Sequence, residues 1–224
     1  MKNPWVRISP TPPFVLPSEH PHIEKHNRKV DEEHRIRMEL FPEPYLGNPE
    51  APIVLLGLNP GFDEQEIPFH NEDNRFIRAC VMNLIHRPQS YPFYLINPNL
   101  SDSLGHQWWM KRLKEPIALA GLEAVAQNFL CIEYFPYHTR KFKPMKKRLP
   151  SQEYNFHLVE KAMDREALIV IMRSKKLWFE AVPGLKDYPH LFILKNPQNV
   201  TISPGNLPDG YSLIENILLK NTVH

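Results

Sequence analysis

Four residue patterns in this chain have the types and spacing to do chemistry. The first is Asn59, held in Gly57-Leu58-Asn59-Pro60-Gly61-Phe62 directly after the apolar run Ile53–Leu56. That run shows no polar alternation, which suits a parallel strand covered on both faces. An asparagine just past the carboxyl end of such a strand stands where open α/β sheets place their ligands, and its amide can hold a water or a polar ligand in place. The same stretch reads equally as a strand ending in an ordinary turn, because Asn, Pro and Gly are common turn residues. The second pattern is "LKNPQNVTISPGNL", which puts Asn196 and Gln198 after another apolar run. The third is "HTRKFKPMKKR", His138 to Arg148, with six cations (Arg140, Lys141, Lys143, Lys146, Lys147, Arg148) and no acid. The fourth is a group of histidines, His20, His22, His26 and His34, that offers no obvious further ligand cluster, so no metal site is expected there.

The elements that must position these residues follow from the apolar periodicities. After Ile53–Leu56, "NRFIRACVMNLIHR" puts Phe76, Ile77, Cys80, Val81, Leu84 and Ile85 on one helical face. "YPFYLINPN" suits a short edge strand or an extended loop, and residues 106–127 suit a helix broken near Pro116. Residues 128–135, 167–172 and 190–195 read as three further strands. Ser151 and Ser174 stand at the starts of helical stretches, and residues 211–220 close the chain with a helix. Alternating strands and helices predict an α/β fold, a three-layer α/β/α domain with a central, mostly parallel four-stranded sheet over residues 50–224. Residues 1–22 hold six prolines and no period, and residues 22–41 are helix-forming and highly charged, so residues 1–49 read as a proline-rich arm and a surface helix.

Composition narrows the function. With 42% hydrophobic residues in 224 the chain can bury a full core, and its 24 prolines, about twice the usual share, predict stiff loops. Cys80 and Cys131 both lie in apolar segments and read as buried reduced thiols. No secretion leader and no long apolar span is evident, so a cytoplasmic, monomeric protein without membrane contact is expected. Without the six cations of the basic run, the rest of the chain carries 21 basic against 25 acidic residues. A concentrated basic loop on a mildly acidic body is the footprint of a phosphate-binding surface, although a solvated charge run has the same composition. Phe142 within the run and Tyr134–His138 before it interleave aromatics with cations, as suits stacked bases. Phosphate-binding loops of nucleotide enzymes and the nucleophile elbow of α/β-hydrolases are absent, and two cysteines are too few for a four-cysteine iron–sulfur cluster.

The pairing of Gly57-Leu58-Asn59-Pro60-Gly61 after one strand with Asn196-Pro197 after a later one resembles the uracil-DNA glycosylase superfamily. The likeness is to its mismatch-specific, thymine-DNA and single-strand-selective branches, and it covers roughly residues 50–210. It implies a DNA glycosylase without cofactor or metal that flips a damaged base of single- or double-stranded DNA into a pocket and hydrolyses its N-glycosidic bond. The same fold without turnover, as a nucleic-acid or modified-base binding module, is the alternative.

By this resemblance Asn59 positions the water and Asn196 donates to the departing base. Gly57, Leu58, Pro60, Gly61 and Phe62 frame the base, Gly61 leaving room for a substituent at base position 5. In "EIPFHN" the resemblance assigns Phe69 to stacking on the base, a place a core or lid aromatic would also fill. Gln198 stands where the family has serine, and Glu133 where many members have a uracil-reading asparagine. An ionised Glu133 accepts hydrogen bonds and donates none, which favours an amino-bearing base, or else it pairs structurally with the basic loop. His138 and the six cations of the run are the nucleic-acid contacts. Replacing Lys146, Lys147 and Arg148 by alanine is expected to weaken binding to all DNA sequences alike and to flatten its salt dependence; unchanged binding would reduce the run to a solvated face.

Overall fold

A computed structural model describes residues 1–220. Five strands, β1 (Tyr45–Gly47), β2 (Ile53–Leu56), β3 (Phe129–Ile132), β4 (Leu168–Ile171) and β5 (Leu191–Ile193), form one mixed sheet in the order β1-β3-β2-β4-β5. The helices are α1 (His20–Asn27), α2 (Ile67–Asn71), α3 (Asn74–Leu84), α4 (Leu104–Arg112), α5 (Lys114–Asn128), α6 (Pro150–Asp164), α7 (Lys175–Ala181) and α8 (Tyr211–Lys220). The four expected strands are all present and mutually parallel, with Leu55 level with Cys131 on one side and with Val170 on the other. Strands β2, β3 and β4 are buried at every residue, as their unbroken apolar runs require.

The four-stranded expectation is corrected by β1, which pairs antiparallel with β3 through Tyr45–Ile132 and Gly47–Leu130. Three residues are too few to show a period of two, so this strand left no trace in the hydrophobic pattern. It is held from outside the sheet: the buried Asn83 of α3 donates to Tyr45 O (2.8 Å) and accepts from Gly47 N (3.0 Å).

Residues before β1 are packed on the same core. Trp5, Phe14, Val15, Leu16, Ile23 and Phe41 are all buried in it. Asn3 accepts from Trp5 N (2.9 Å) and donates to Leu84 O (2.7 Å). Glu19, fully buried, accepts from Tyr137 Oη (2.7 Å) and from both Ser151 N (2.6 Å) and Ser151 Oγ (3.1 Å). Ser151 therefore serves Glu19 instead of capping α6, which starts one residue earlier on Pro150. Ser174 sits at φ 57° before α7 and makes no side-chain cap. The charged stretch expected as a surface helix over residues 22–41 is helical only to Asn27 and then forms a short turn at Glu32–His34.

Residues 91–99 form two short 3-10 turns rather than a strand. Pro116 lies in the first turn of α5, where a missing N–H costs nothing; the chain breaks helical geometry at Gly121 (φ 84°) instead. The parallel strands run 2-1-3-4 in chain order, so the connections leaving β2 and β4 diverge at their carboxyl ends and open a crevice there. Among the described residues no helix is long and apolar enough to cross a membrane. Trp5→Ala is expected to cost about 3–5 kcal/mol in a urea titration, because it empties a fully buried indole site; a loss under about 1 kcal/mol would show the segment to be loosely attached.

Candidate functional site

Backbone hydrogen bonds continue past the last residues of β2 and β3 and shape the turn between them. Gly57 N donates to Ile132 O (2.9 Å), Phe135 N to Leu58 O (2.8 Å) and Thr139 N to Pro60 O (3.3 Å). Trp178 of α7 donates its indole N–H to Gly57 O at 2.8 Å. The turn is thereby fixed over a cleft of about 340 Å³ at the crevice between β2 and β4. Gly57 to Phe62 all line it, with Glu43, Glu66, His70, Glu133, His138 and Thr139 as its buried polar groups. Trp108 and Trp109 of α4 form a wall, while Arg140 and Arg173 stand exposed among its lining residues.

Asn59 donates its amide N–H₂ to Pro60 O (2.7 Å) and to Thr139 Oγ1 (2.9 Å). With both N–H groups committed, the orientation of the amide is settled and Oδ1 is left as the acceptor open to a ligand. Gly61 faces open space, since a Cβ there would meet nothing within 4 Å. Gly57 is different: a Cβ on it would overlap the carboxyl group of Glu133. Phe62 is half-buried, with the Arg37 guanidinium 4.2 Å and that of Arg140 5.6 Å from its ring centre.

Three expected site residues lie elsewhere. Phe69 packs against Phe76 (6.0 Å between ring centres) and does not line the cleft. Its neighbour His70 does, because successive residues of α2 point about 100° apart. Asn196 and Gln198 are exposed and outside the lining; Asn196 Oδ1 closes a local turn by accepting from Gln198 N (3.0 Å) and Asn199 N (3.2 Å). Their loop touches the site through Val200, and through Pro197 O, which accepts from Arg173 Nε at 3.2 Å.

The basic run is divided in use. His138 and Thr139 are buried in the site and Arg140 lines it. Lys141 pairs with Glu33 (2.8 Å). Phe142 packs on Phe135, 5.6 Å between ring centres, and so is not a free stacking platform. Arg148 lies 5.3 Å from the Phe156 ring centre and donates to Glu180 O. Lys143, Lys146 and Lys147 are exposed and form no ion pair among the described residues.

The cleft holds three buried acids. Burial lifts Glu133 to about 8 and Glu43 to about 7, and it raises Glu66 as well. Glu66 spends Oε1 on the first turn of α4, accepting from Leu104 N and from Gly105 N (3.3 Å). Glu43 Oε1 accepts from Tyr94 Oη, and its Oε2 is 3.9 Å from His138 Nε2. Glu133 Oε1 accepts from the Cys131 thiol (3.7 Å), and its Oε2 is buried without a partner. Burial thus favours the protonated form of Glu133 near neutrality, against the expectation of an ionised, accept-only carboxylate, and no basic-loop residue pairs with it.

Glu43, His70 and His138 bring one ligand-type atom each within 4.8 Å of one another, the spacing of a metal site. Their hydrogen bonds argue for a proton network instead. His70 Nδ1 accepts from Phe41 N (3.0 Å), so in the neutral ring, which burial strongly favours, Nε2 carries the proton and offers a donor rather than a lone pair. His138 has an acceptor at each ring nitrogen, Gly61 O (2.6 Å from Nδ1) and Phe41 O (3.0 Å from Nε2). Burial is the largest influence on it and lowers its pKa, against the upward push of those carbonyls and Glu66. Glu43, Glu66 and His70 escaped the sequence reading; the signal for Glu43 was an acid between two prolines in "FPEPY", ahead of a strand too short to notice.

No family model, curated protein or solved structure matches this chain.

The raised Glu133 fixes a pH dependence. The unfolded chain releases this proton near 4.5 and the folded one near 8, so stability is full below the lower value and falls as pH rises between the two. Glu133→Gln is expected to remove much of that loss, raising stability by a few kcal/mol at about pH 9 and by little at about pH 4. Equal urea midpoints for the two proteins at both pH values would contradict a buried, protonated Glu133.

Proposed function

We propose that this protein is a DNA glycosylase of the uracil-DNA glycosylase type, with helices on both faces of its sheet in a three-layer arrangement. The observation that carries the reading is Asn59: a strand-end amide, anchored through both N–H groups, with Oδ1 open to a cleft at the switch point of the sheet. In that role Oδ1 holds a water in line with the sugar carbon of a flipped nucleotide, a positioning contribution. The carbon–nitrogen bond breaks with its electron pair staying on the base, the water oxygen bonds to the sugar carbon, and the proton that the water gives up ends on the departed base. Donors in the cleft then meet the charge that develops on the base, and His70 Nε2–H is one of them. Exposed Arg140, Arg173, Lys143, Lys146 and Lys147 supply cations for the phosphates outside.

One observation favours the second reading, a binding module of the same fold. Asn196, the residue meant to assist the departing base, lies outside the cleft. The two readings part on turnover. Asn59→Ala is expected to lower base release by about 100-fold or more in a single-turnover assay on oligonucleotides carrying deaminated or alkylated bases, with DNA binding nearly unchanged. Wild-type protein that binds these oligonucleotides and releases no base is a binding module.

A further inference from the structure

The loss of Asn196 from the cleft leaves the base without its expected donor, and the structure holds one candidate for that place. Glu133 is buried, lines the cleft and has one oxygen, Oε2, with no hydrogen-bond partner. Leaving a polar atom in that state is unfavourable, and a ligand that completes the bond removes the cost. The other oxygen is committed, because the Cys131 thiol donates to Oε1. A thiol donating to Oε1 makes that the carbonyl oxygen of the acid and leaves the carboxyl proton on Oε2. The unfilled need of the site is thus an acceptor. Gly57 leaves the carboxyl group its room, since a Cβ there would overlap it.

We propose that Glu133 donates a hydrogen bond from Oε2 to the exocyclic oxygen of an oxo-bearing base, so that the ligand class is a uracil- or hypoxanthine-like heterocycle and not an amino-bearing one. This rests on the glycosylase-type reading of the cleft and deepens it. A neutral carboxyl group that donates to a substrate oxygen in a dry site is a recognised way to stabilise developing negative charge. The groups that act on Glu133 are Cys131 on its own strand, Glu43 ahead of β1 and Arg173 after β4. Glu43 favours the protonated form and Arg173 opposes it, with burial the dominant influence. Recognition is consequently strongest below the point at which Glu133 ionises and is lost above it.

The test has a ligand-free arm and a binding arm. Carbon-13 NMR of the glutamate carboxyls, assigned by comparing wild type with Glu133→Gln, should show Glu133 still protonated at neutral pH; an ionised Glu133 there overturns the proposal. For binding, the probes are oligonucleotides with one uracil or hypoxanthine on a fluorinated sugar that resists base release. Each is paired with the analogue in which hydrogen replaces the exocyclic oxygen. Wild type should prefer one of the oxo probes over its analogue by about tenfold at about pH 6 and lose that preference by about pH 9.5. Glu133→Gln, neutral at every pH and still a donor, should keep the preference throughout. A preference that does not change with pH in wild type, or equal binding of oxo probe and analogue, overturns the role of Glu133 and leaves base binding in the cleft standing. Binding of every probe no better than unmodified DNA at either pH overturns both.

Discussion

The site depends on the backbone ladder of β2 and β3 running on beyond the sheet. Three hydrogen bonds tie the turn from Gly57 to Pro60 to the segment from Ile132 to Thr139. A turn made of Asn, Pro and Gly has little to hold it by itself, yet this one is clamped along one side by main-chain bonds and by the Trp178 indole on Gly57 O. The clamp aligns Asn59 with Thr139, which takes one of its N–H groups, and brings His138 under Gly61. Position and orientation of the polar groups are therefore properties of the scaffold, which is what a site needs if it is not to reorganise when it binds.

A second constraint is dielectric. The walls of the cleft bury Glu43, Glu66 and Glu133, and each keeps its proton to a higher pH than a free carboxyl would. The arrangement costs stability in alkali and supplies proton-bearing oxygens near neutrality. Such a concentration of raised acids is uncommon in a purely structural core, where buried charges are normally paired or absent. Tyr94 and Cys131, themselves buried, give two of these acids a fixed partner and so a fixed proton position.

Much of the fold was legible because its central strands are unbroken apolar runs and its connections are helical. The four parallel strands, the amphipathic α3 and the placement of Asn59 at a strand end all follow from local pattern. What escaped depends on contacts between distant residues. β1 is three residues long and is kept by Asn83 of α3; the segment around Trp5 and Glu19 is rich in proline and has apolar residues without a period, so its place on the core shows only when Tyr137 and Ser151 are seen against it. In the site, an apolar run ending in Gly-Leu-Asn-Pro-Gly pointed to Asn59 and the turn glycines; of the residues singled out by the second motif and by likeness, Glu133 lines the cleft, whereas Phe69, Asn196 and Gln198 lie outside it. His70, next to Phe69, faces the cleft through helix rotation, which spacing alone does not reveal. The protonation of Glu133 could not be read at all, because burial is a property of the assembled walls.

The contact between Gly57 and Glu133 has a bearing on how this protein can change over evolutionary time. The carboxyl group occupies the volume that any side chain at position 57 would need. A substitution at 57 thus requires 133 to turn away or become smaller, and a shortened residue at 133 would free 57 to vary. Changes at the two positions are coupled through this shared volume. Because one belongs to the turn that carries Asn59 and the other to the neighbouring strand end, a change at either is felt in both walls of the cleft.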